Sequence, residues 1–556
     1  MADKTTPSIL YTFSKLLSLL KADRKDISAV YFFAIFGGII QLSLPLGIQS
    51  IINFVQAGEL STSIVILILV VITGVFINGL LQVRQLEVIE KIEQKIFARY
   101  SLEFSDRIPK LNIEKLDKYH LPELTNRYFD TVSLIKSIEK ILLDIPAAVI
   151  QILLGIILLS FYHPVFIAFG TLLILILLFI FKYTSEKGFA TSLETSDQKY
   201  ALAEWLEQEA FAVKTFKFSK NTSLHLKRAD AILTGYLKAR TAHFKVLMSQ
   251  YWSFISFKLL ITAAMLIVGT YLLIAQQINI GQFIASDIVI IAIISSVEKL
   301  ISSFDKVYDV LTSVQKLSKI TDAEIETSGD MELPSMERGV NIDFNKVTFA
   351  FSPENKIIQD IDIQIKANQI VCITGVSGSG KSTILKLLTA SYKNYSGNIL
   401  IDNLPIHQYQ INSYRNQTGV LFKTSDIFKG TLLENITLGN PLISNDMIMT
   451  LASTLGVKQY ILELKDGLLT ELDTHGKILP NKIKKDVLIM RALLGKHRLL
   501  LLENPFEYLD AMQRQGLINY IQSEKNTTVI ITTSEKVDMP FDLTIEMQSG
   551  IISKIK

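Results

Sequence analysis

Cysteine is almost absent from this chain of 556 residues, which contains only Cys372. No disulfide can therefore form within the chain, and the surroundings of Cys372 suit a reducing cytoplasm. Because Cys372 lies in an apolar run, we interpret it as a small buried side chain. Cys/His clusters with metal-ligand spacing are also missing from the sequence, so no zinc centre of that kind is expected.

Charge is scarce as well. Charged residues make up 20% of the sequence, below the roughly 25% that is usual for soluble domains, whereas hydrophobic residues make up 49%. The formal net charge is only +3, so the composition predicts no nucleic-acid partner. A chain of this length exceeds one domain, and its apolar excess indicates that part of it lies in a membrane.

Six apolar stretches predict six transmembrane helices, since each is near or above the roughly 20 residues that cross a bilayer. They are 27–54, 62–81, 141–162, 164–183, 254–274 and 283–301. The short loops 56–61, His163 and 275–282 contain no Lys or Arg, whereas the long loops 84–140 and 184–251 are rich in both. The positive-inside rule therefore predicts that both termini and both long loops lie in the cytoplasm. Helical periodicity in the long loops predicts that the membrane helices continue into them.

Changes of composition divide the chain into four segments. Residues 1–26 are basic and amphipathic, which fits a helix in the membrane interface and equally fits a soluble helix packed on a neighbour. Residues 27–317 contain the six spans and form the predicted transmembrane domain. Residues 318–337 are polar and predict a linker. From 338 to 556, alternating strand and helix patterns predict an α/β domain.

Four polar residues stand within the apolar stretches: Asn78, Gln151, Lys258 and Asp287. An intramembrane carboxylate is a functional candidate by default. Asp287, however, lies only about one turn from the predicted outer loop, so a water-exposed helix end is favoured over substrate contact. Lys258 has the corresponding interpretation near the inner face. All four are the first positions to mutate in a search for cargo contacts.

The stretch Gly375–Ser382 fits the phosphate-binding pattern G-x-x-x-x-G-K-[ST]. A β-like run precedes it and a helix-forming run follows it, so backbone N–H groups and a helix N-terminus are expected to point at a polyphosphate. In this pattern Lys381 reaches the β- and γ-phosphates, and the Ser382 hydroxyl ligates Mg²⁺. The predicted nucleotide-binding residues of the loop are Gly375, Val376, Ser377, Gly378, Ser379, Gly380, Lys381, Ser382 and Thr383.

Four further segments match the positions of motifs in a known family. They are Leu-Pro-Glu-Leu-Thr-Asn-Arg at 121–127, Val-Thr-Phe-Ala-Phe at 347–351, Arg-Ala-Leu-Leu at 491–494, and Leu509-Asp510. Together with the six spans and the phosphate loop, they resemble an ABC exporter half-transporter over essentially the whole chain. The likeness is greatest to bacterial type I protein and peptide exporters.

The resemblance implies an α-helical membrane domain of the ABC exporter type, with six transmembrane helices, fused to an α/β P-loop NTPase domain. It implies ATP and Mg²⁺ as cofactors, with Phe351 stacked on adenine and 121–127 as the first coupling region. A second half-transporter is the implied partner, as a homodimer or a heterodimer, and a membrane-fusion adaptor is a further possible partner. The implied location is the inner (cytoplasmic) membrane of a bacterium, with the nucleotide domain in the cytoplasm.

Several catalytic landmarks of that family are replaced in this chain. Lys423 stands at the position of the Q-loop glutamine, and Asn504 stands at the position of the general base. Ser534 takes the place of the switch histidine, or Thr533 does if the register shifts by one residue. The signature LSGGQ reads Leu-Pro-Asn-Lys-Ile at 479–483 and has lost both glycines.

These replacements predict ATP binding with impaired hydrolysis. Glu503 replaces the Walker B aspartate but keeps its charge, so Ser382 and Glu503 are the predicted Mg²⁺ ligands. Asn504 cannot accept a proton from the attacking water, and loss of a general base typically costs ~10²–10⁴-fold in rate.

Two hypotheses follow. The first is an exporter subunit with slow or partner-dependent turnover. The second is a non-hydrolysing pseudo-transporter that binds ATP and regulates or scaffolds a membrane complex. The sequence does not name a cargo, and protein, peptide and lipid stay open.

Overall fold

The computed structural model describes residues 9–556 except 59–61, 117–120, 220–221, 353–354, 425 and 473–479. The chain divides into two units. The helical unit comprises residues up to 111 together with 118–324, and the α/β unit comprises 112–117 together with 325–556.

Helices make up the first unit, and several of them are far longer than a bilayer is thick. In chain order, the helices up to residue 321 are α1 Ile9–Lys21, α2 Arg24–Gln41, α3 Ser43–Gln56, α4 Thr62–Arg107, α5 Ile113–Leu116, α6 Leu121–Asn126, α7 Asp130–Tyr162, α8 Val165–Phe211, α9 Val213–Lys217, α10 Leu224–Ile274 and α11 Ile280–Thr321. Of these, α5 belongs to the α/β unit. Among the described residues, six segments are long and apolar enough to cross a membrane: 24–56, 62–110, 124–162, 165–211, 224–274 and 280–321. Each corresponds to one of the six predicted spans, and the predicted span 164–183 begins one residue before its segment. The 46 residues of α4 are roughly 70 Å long, about twice the apolar thickness of a bilayer, so the helix extends beyond it.

The first span contains a break that the sequence interpretation did not include. α2 ends at Gln41 and α3 begins at Ser43, with Leu42 between them. Pro45 lies in the first turn of α3 and has no N–H to donate to the carbonyl of Gln41. The continuous apolar pattern of 27–54 therefore forms two helices.

The N-terminal helix α1 packs on the last turns of α11. The hydroxyl of Thr12 donates a hydrogen bond to Oε1 of Gln315 at 3.3 Å, and Lys15 forms an ion pair with Asp322. Leu10 and Leu17 remain exposed on the other side of α1. The contacts are those of a helix packed on a neighbour, while the opposite face is apolar and open.

Much of the predicted linker 318–337 has regular partners. Its first residues belong to α11, which continues to Thr321. Arg415 then holds Glu326 through two hydrogen bonds of 2.6 and 3.0 Å, and Met331 pairs with Tyr409 in an isolated bridge. The linker was predicted from polarity alone, which does not reveal such long-range partners.

One short segment between α4 and α6 groups with the α/β unit. Within that unit, Oε2 of Glu114 in α5 accepts a hydrogen bond from the backbone N–H of Lys393 at 3.1 Å. The segment 121–127, predicted as the first coupling region, groups with the helical unit instead.

The described residues of the α/β unit form three sheets. Its strands are β1 Ile342–Ser352, β2 Asn355–Ile365, β3 Ile370–Gly375, β4 Tyr395–Ile401, β5 Leu404–Pro405, β6 Thr418–Leu421, β7 Gly430–Thr431, β8 Glu471–Leu472, β9 Leu499–Glu503, β10 Thr528–Thr533, β11 Leu543–Gln548 and β12 Ile551–Ile555. Its helices are α12 Lys381–Leu388, α13 Ile411–Asn416, α14 Leu432–Thr437, α15 Asn445–Thr454, α16 Lys458–Glu463, α17 Asn481–Leu493 and α18 Ala511–Ser523. The orders are β2-β1-β4-β5, β12-β11-β3-β10-β9-β6 and β7-β8.

The six-stranded sheet is the centre of this unit. β11, β3, β10, β9 and β6 run parallel, and only β12 is antiparallel to its neighbour. Along β9, Leu499 and Leu501 face one hydrophobic cluster while Leu500 and Leu502 face another. This alternation requires an uninterrupted apolar strand, because a central parallel strand is covered on both faces. The carboxyl ends of these parallel strands meet at one edge, where ligands of such sheets bind.

Candidate functional site

The phosphate loop follows β3 at that edge and leads directly into α12. Gly375, Gly378 and Gly380 have φ values of +147°, +83° and +99°, which residues with a side chain rarely adopt. A Cβ on Gly375 would lie 2.2 Å from the carbonyl oxygen of Met547. Residues 376–378 of the loop are exposed, whereas Ser379 is buried. The glycines of the motif are therefore required by the local geometry, and the loop is open to a ligand.

Lys381 is folded over the loop. Its Nζ donates hydrogen bonds to the carbonyl oxygens of Gly375 at 2.7 Å and Val376 at 2.8 Å, and it lies 3.4 Å from the hydroxyl of Ser379. Burial lowers the pKa of Lys381, while the charge of Glu503 opposes that shift. The Lys381 ammonium therefore lies on the phosphate loop, where the motif predicts it.

Ser382 and Glu503 meet next to the loop. The Ser382 hydroxyl donates to Oε1 of Glu503 at 2.5 Å, and the backbone N–H of Lys423 donates to Oε2 at 2.8 Å. Glu503 is only 8% exposed. A hydroxyl and a carboxylate are oxygen ligands of the type that Mg²⁺ takes, so these residues fit the ion.

No cluster of three or more His, Cys, Asp or Glu that could hold a metal occurs in the described part of the chain. Mg²⁺ does not need one, because it usually binds through one or two protein groups together with phosphates and waters.

Asn504 follows β9 in a left-handed conformation, with φ +43°, that asparagine tolerates better than most residues. Its N–H donates to the carbonyl of Thr532 at 2.8 Å, and its own carbonyl accepts a hydrogen bond of 2.8 Å from Nζ of Lys485. Burial lowers the pKa of Lys485 to about 8. A buried amine therefore holds the backbone at the position that the sequence predicts for the general base.

A pocket of about 180 Å³ brings together Lys423, Asn504 and Ser534, the three single residues predicted to replace catalytic landmarks. Its remaining lining residues are Phe506, Glu507, Thr533 and Glu535. Nζ of Lys423 pairs with Oε1 of Glu507 at 3.4 Å. The sequence interpretation did not include Glu507, although its place three residues after Asn504 in a turn offered a signal.

The segment 479–483, predicted as the signature position, leads into the start of α17. Leu479 is outside the described residues, Pro480 precedes the helix, and α17 begins at Asn481. Nζ of Lys482 forms an ion pair of 2.7 Å with Oδ2 of Asp510, whose other carboxylate oxygen caps α18. Lys482 is therefore an ion-paired surface residue in this chain.

Phe351 lies near the end of β1, and its ring is 43% exposed. It packs edge to face on Phe349 at 4.9 Å and on Tyr392 at 5.8 Å between ring centroids. An open aromatic face of this kind is what stacking on a base requires. Thr383, by contrast, is buried in α12.

The polar residues of the spans differ in their surroundings. Oε1 of Gln151 accepts a hydrogen bond of 2.9 Å from the hydroxyl of Ser296. Asp287 is partly buried and lies about two turns into α11, deeper than the one turn expected, because α11 begins at Ile280. Lys258 is exposed on α10.

Comparison with known sequences defines the class. Residues 27–297 match the family described as ABC transporter transmembrane region, and residues 358–507 match the family described as ABC transporter. The chain therefore belongs to the ABC transporter family, as predicted, and carries the membrane and nucleotide-binding parts of a half-transporter. Membership implies a nucleotide at the phosphate loop.

Two curated relatives illustrate the likeness. The alpha-hemolysin translocation ATP-binding protein HlyB of Escherichia coli O157:H7 is 29% identical over 333 residues, which are 59% of this chain and 46% of that protein. The exotoxin translocation ATP-binding protein PaxB of Pasteurella aerogenes is 28% identical over 288 residues, which are 51% of this chain and 40% of that protein. The aligned part is thus less than half the length of either relative.

A solved structure of a bacterial Atm1-family ABC exporter with ATP bound has a similar fold. The TM-score is 0.84 at 19% identity, over 96% of this chain and 95% of that one. The predicted fold, six apolar helices followed by an α/β nucleotide-binding domain, is confirmed.

Proposed function

We propose that this chain is one half of a dimeric ABC exporter that binds Mg-ATP and hydrolyses it slowly or only with a partner. The phosphates are held by residues 375–383, and Phe351 stacks on the base. Ser382 and Glu503 supply the protein ligands of Mg²⁺, whose bound form neutralises phosphate charge.

The observation that carries the proposal is the identity of residue 504, which directly follows β9. Asn504 lines the pocket beside the phosphate loop, and its amide cannot take a proton from an attacking water. The carboxylate of Glu503 is already engaged by Ser382 and by the N–H of Lys423. Binding groups are therefore retained while the residue that would activate water is replaced.

Residues of the loop have defined tasks on binding. The ammonium of Lys381 exchanges the carbonyls of Gly375 and Val376 for phosphate oxygens, which are stronger acceptors. Ser382 and Glu503 would hold Mg²⁺ through the two oxygens that now share a hydrogen bond.

A second half is required because the chain has one phosphate loop and one signature position. In a homodimer, both composite sites would combine Asn504 with the altered 480–483 segment. In a heterodimer with an intact partner, one site would lack the base and the other would lack the signature. Turnover is impaired in either arrangement.

Orientation and cargo follow from the spans and the relatives. The charge distribution supports cytoplasmic termini and long loops, in the inner membrane of a bacterium. The names of the two relatives record translocation of a hemolysin and of an exotoxin, which supports a protein or peptide cargo over a lipid. A membrane-fusion adaptor is then a further partner.

A second candidate is a pseudo-transporter that binds ATP without hydrolysing it and regulates or scaffolds a membrane complex. The observation that favours it is the gathering of three replaced landmarks, Lys423, Asn504 and Ser534, in one pocket.

The test is phosphate release by the full-length chain in detergent, alone and with a candidate partner, against a Lys381→Ala control. Slow release above that control supports the exporter subunit. Release equal to the control in every combination, with ATP still bound by the unmodified chain, rejects it in favour of the pseudo-transporter.

A further inference from the structure

Lys423 lies beside the phosphate loop without a task in the proposed chemistry. β6 ends at Leu421. The strands β6, β9, β10 and β3 are neighbours in this order and all run parallel. Lys423 follows β6 by two residues, and Gly375 ends β3 at the same edge of the sheet. Lys423 is therefore on the side of the sheet where the nucleotide binds.

Two hydrogen bonds join the backbone of Lys423 to the loop. Its N–H donates to Oε2 of Glu503 at 2.8 Å, and Oε1 of the same carboxylate accepts from the Ser382 hydroxyl at 2.5 Å. Because Glu503 is buried, these bonds hold the base of the Lys423 side chain close to Ser382. In this motif the hydroxyl at the Ser382 position belongs to the Mg²⁺ site, and the preceding lysine reaches the β- and γ-phosphates.

The end of the Lys423 side chain is free to move. Its side chain is 60% exposed, and its ammonium pairs with Glu507 at 3.4 Å. An ion pair this exposed contributes little to stability, so a more highly charged anion can replace Glu507.

The other two lysines of the site are held in place. Lys381 is buried over the loop carbonyls, and Lys485 is buried with its Nζ on the carbonyl of Asn504. Lys423 is thus the exposed lysine of this pocket, among the residues that the structure describes.

We propose that Lys423 leaves Glu507 when a nucleoside triphosphate binds and pairs with the terminal phosphate, so that the chain retains ATP in preference to ADP. This inference rests on the proposed function, because it needs a nucleotide on the phosphate loop. A diphosphate lacks the phosphoryl group that lies nearest this pocket. The ammonium brings its own charge, so the preference persists when divalent metal is removed.

The experiment measures the affinities of ribose-labelled ATP and ADP for the full-length chain in detergent, with Mg²⁺ and with EDTA. Lys423→Ala is expected to lose about tenfold in ATP affinity, the effect of one hydrogen bond to a charged group, and less than about twofold in ADP affinity. The fall in the ATP-to-ADP ratio is expected in both buffers.

Glu507→Gln provides a change of opposite sign. It removes the anion that competes with phosphate for Lys423, so ATP affinity is expected to rise by about twofold to threefold. Lys366→Ala is the matched control. Lys366 precedes β3 at the end opposite the phosphate loop, so the substitution removes one lysine without touching the site.

The outcomes are separable. An unchanged ATP-to-ADP ratio in Lys423→Ala, with ATP still bound by the unmodified chain, overturns this inference alone. An equal loss of both affinities also overturns it. A contact with the third phosphate of ATP cannot account for weaker ADP binding, because ADP lacks that phosphate. Failure of the unmodified chain to bind either nucleotide overturns the proposed function and this inference with it.

Discussion

The hydroxyl of Ser382 donates a hydrogen bond of 2.5 Å to the carboxylate of Glu503, although the two residues are 121 positions apart in the chain. Ser382 lies in the first turn of α12, and Glu503 is the last residue of β9. The parallel sheet brings these elements to one edge. The two predicted oxygen ligands of Mg²⁺ thereby meet beside the phosphate loop.

Removing either oxygen ligand is expected to weaken the metal-dependent part of ATP binding. Ser382→Ala and Glu503→Gln should each lower ATP affinity in Mg²⁺ by about tenfold, since Mg²⁺ depends on few protein ligands. With EDTA, Ser382→Ala should bind ATP as the unmodified chain does. Titrations in the two buffers check this, and full Mg²⁺ dependence in both variants would contradict the assignment.

Placing a carboxylate at residue 504, directly after β9, is expected to raise turnover. Asn504→Glu should increase phosphate release by about 10²-fold, the lower end of the effect of a general base, because the 480–483 segment stays altered. Asn504→Gln has the same length without the charge and is the matched control. Equal rates in the two variants would show that the missing base does not limit turnover.

Alanine substitutions at two glycines of the phosphate loop distinguish the cost of a steric clash from the cost of backbone strain. Gly375→Ala places a Cβ 2.2 Å from the Met547 carbonyl at φ +147°, and we expect a loss of ~3 kcal/mol in stability together with loss of ATP binding. At Gly378, φ is +83° but a Cβ meets nothing within 4 Å, so Gly378→Ala should cost about 1 kcal/mol. Unfolding of the two variants compares these costs, and equal losses would contradict the close approach.

Lys485 predicts a pH dependence of stability. Its pKa is lowered by burial to about 8 from an ordinary value of 10.5. Between these values the unfolded chain binds more protons than the folded chain, so stability rises with pH in that window; below it the penalty is fully present. Lys485→Met should lack this rise, which we expect to be ~1–3 kcal/mol. Unfolding curves from pH 7 to about 10.5 measure the difference, and parallel curves would contradict it.

Close helix packing in the helical unit is tested at Gly188. A Cβ there would lie 2.3 Å from the ring of Tyr308, which is fully buried and whose hydroxyl accepts a hydrogen bond of 2.9 Å from Gln250. Gly188→Ala should therefore destabilise the unit by ~2 kcal/mol. Gly79→Ala is the control, because its Cβ meets nothing within 4 Å and alanine favours a helix. Thermal unfolding in detergent compares them, and equal midpoints would contradict the packing.

Local patterns predicted the fold well. The apolar stretches and the motif Gly375–Ser382 are contiguous, so each specifies its element without knowledge of the rest of the chain. The all-leucine run of β9 likewise predicts a strand covered on both faces. Glu503 and Asn504 could be located because they directly follow that run.

Long-range partners could not be predicted. The pairing of Lys423 with Glu507 joins residues 84 positions apart, and the bond from Lys485 to the Asn504 carbonyl depends on a buried amine in α17. A polar segment such as 318–337 has the composition of a linker whether or not residues like Arg415 bind it. Pro45 was a signal for the helix break at Leu42, but the continuous apolar residues around it predicted a single span.

The central claim is that the chain keeps a nucleotide cradle and has lost the parts that split its ligand. The most direct measurement combines photo-crosslinking of labelled ATP with phosphate release on one preparation of the full-length chain in Mg²⁺. The account predicts crosslinking that Lys381→Ala removes, together with slow phosphate release that exceeds that of the same variant when a partner subunit is present. Failure to crosslink, or rapid phosphate release by the unmodified chain alone, would contradict it.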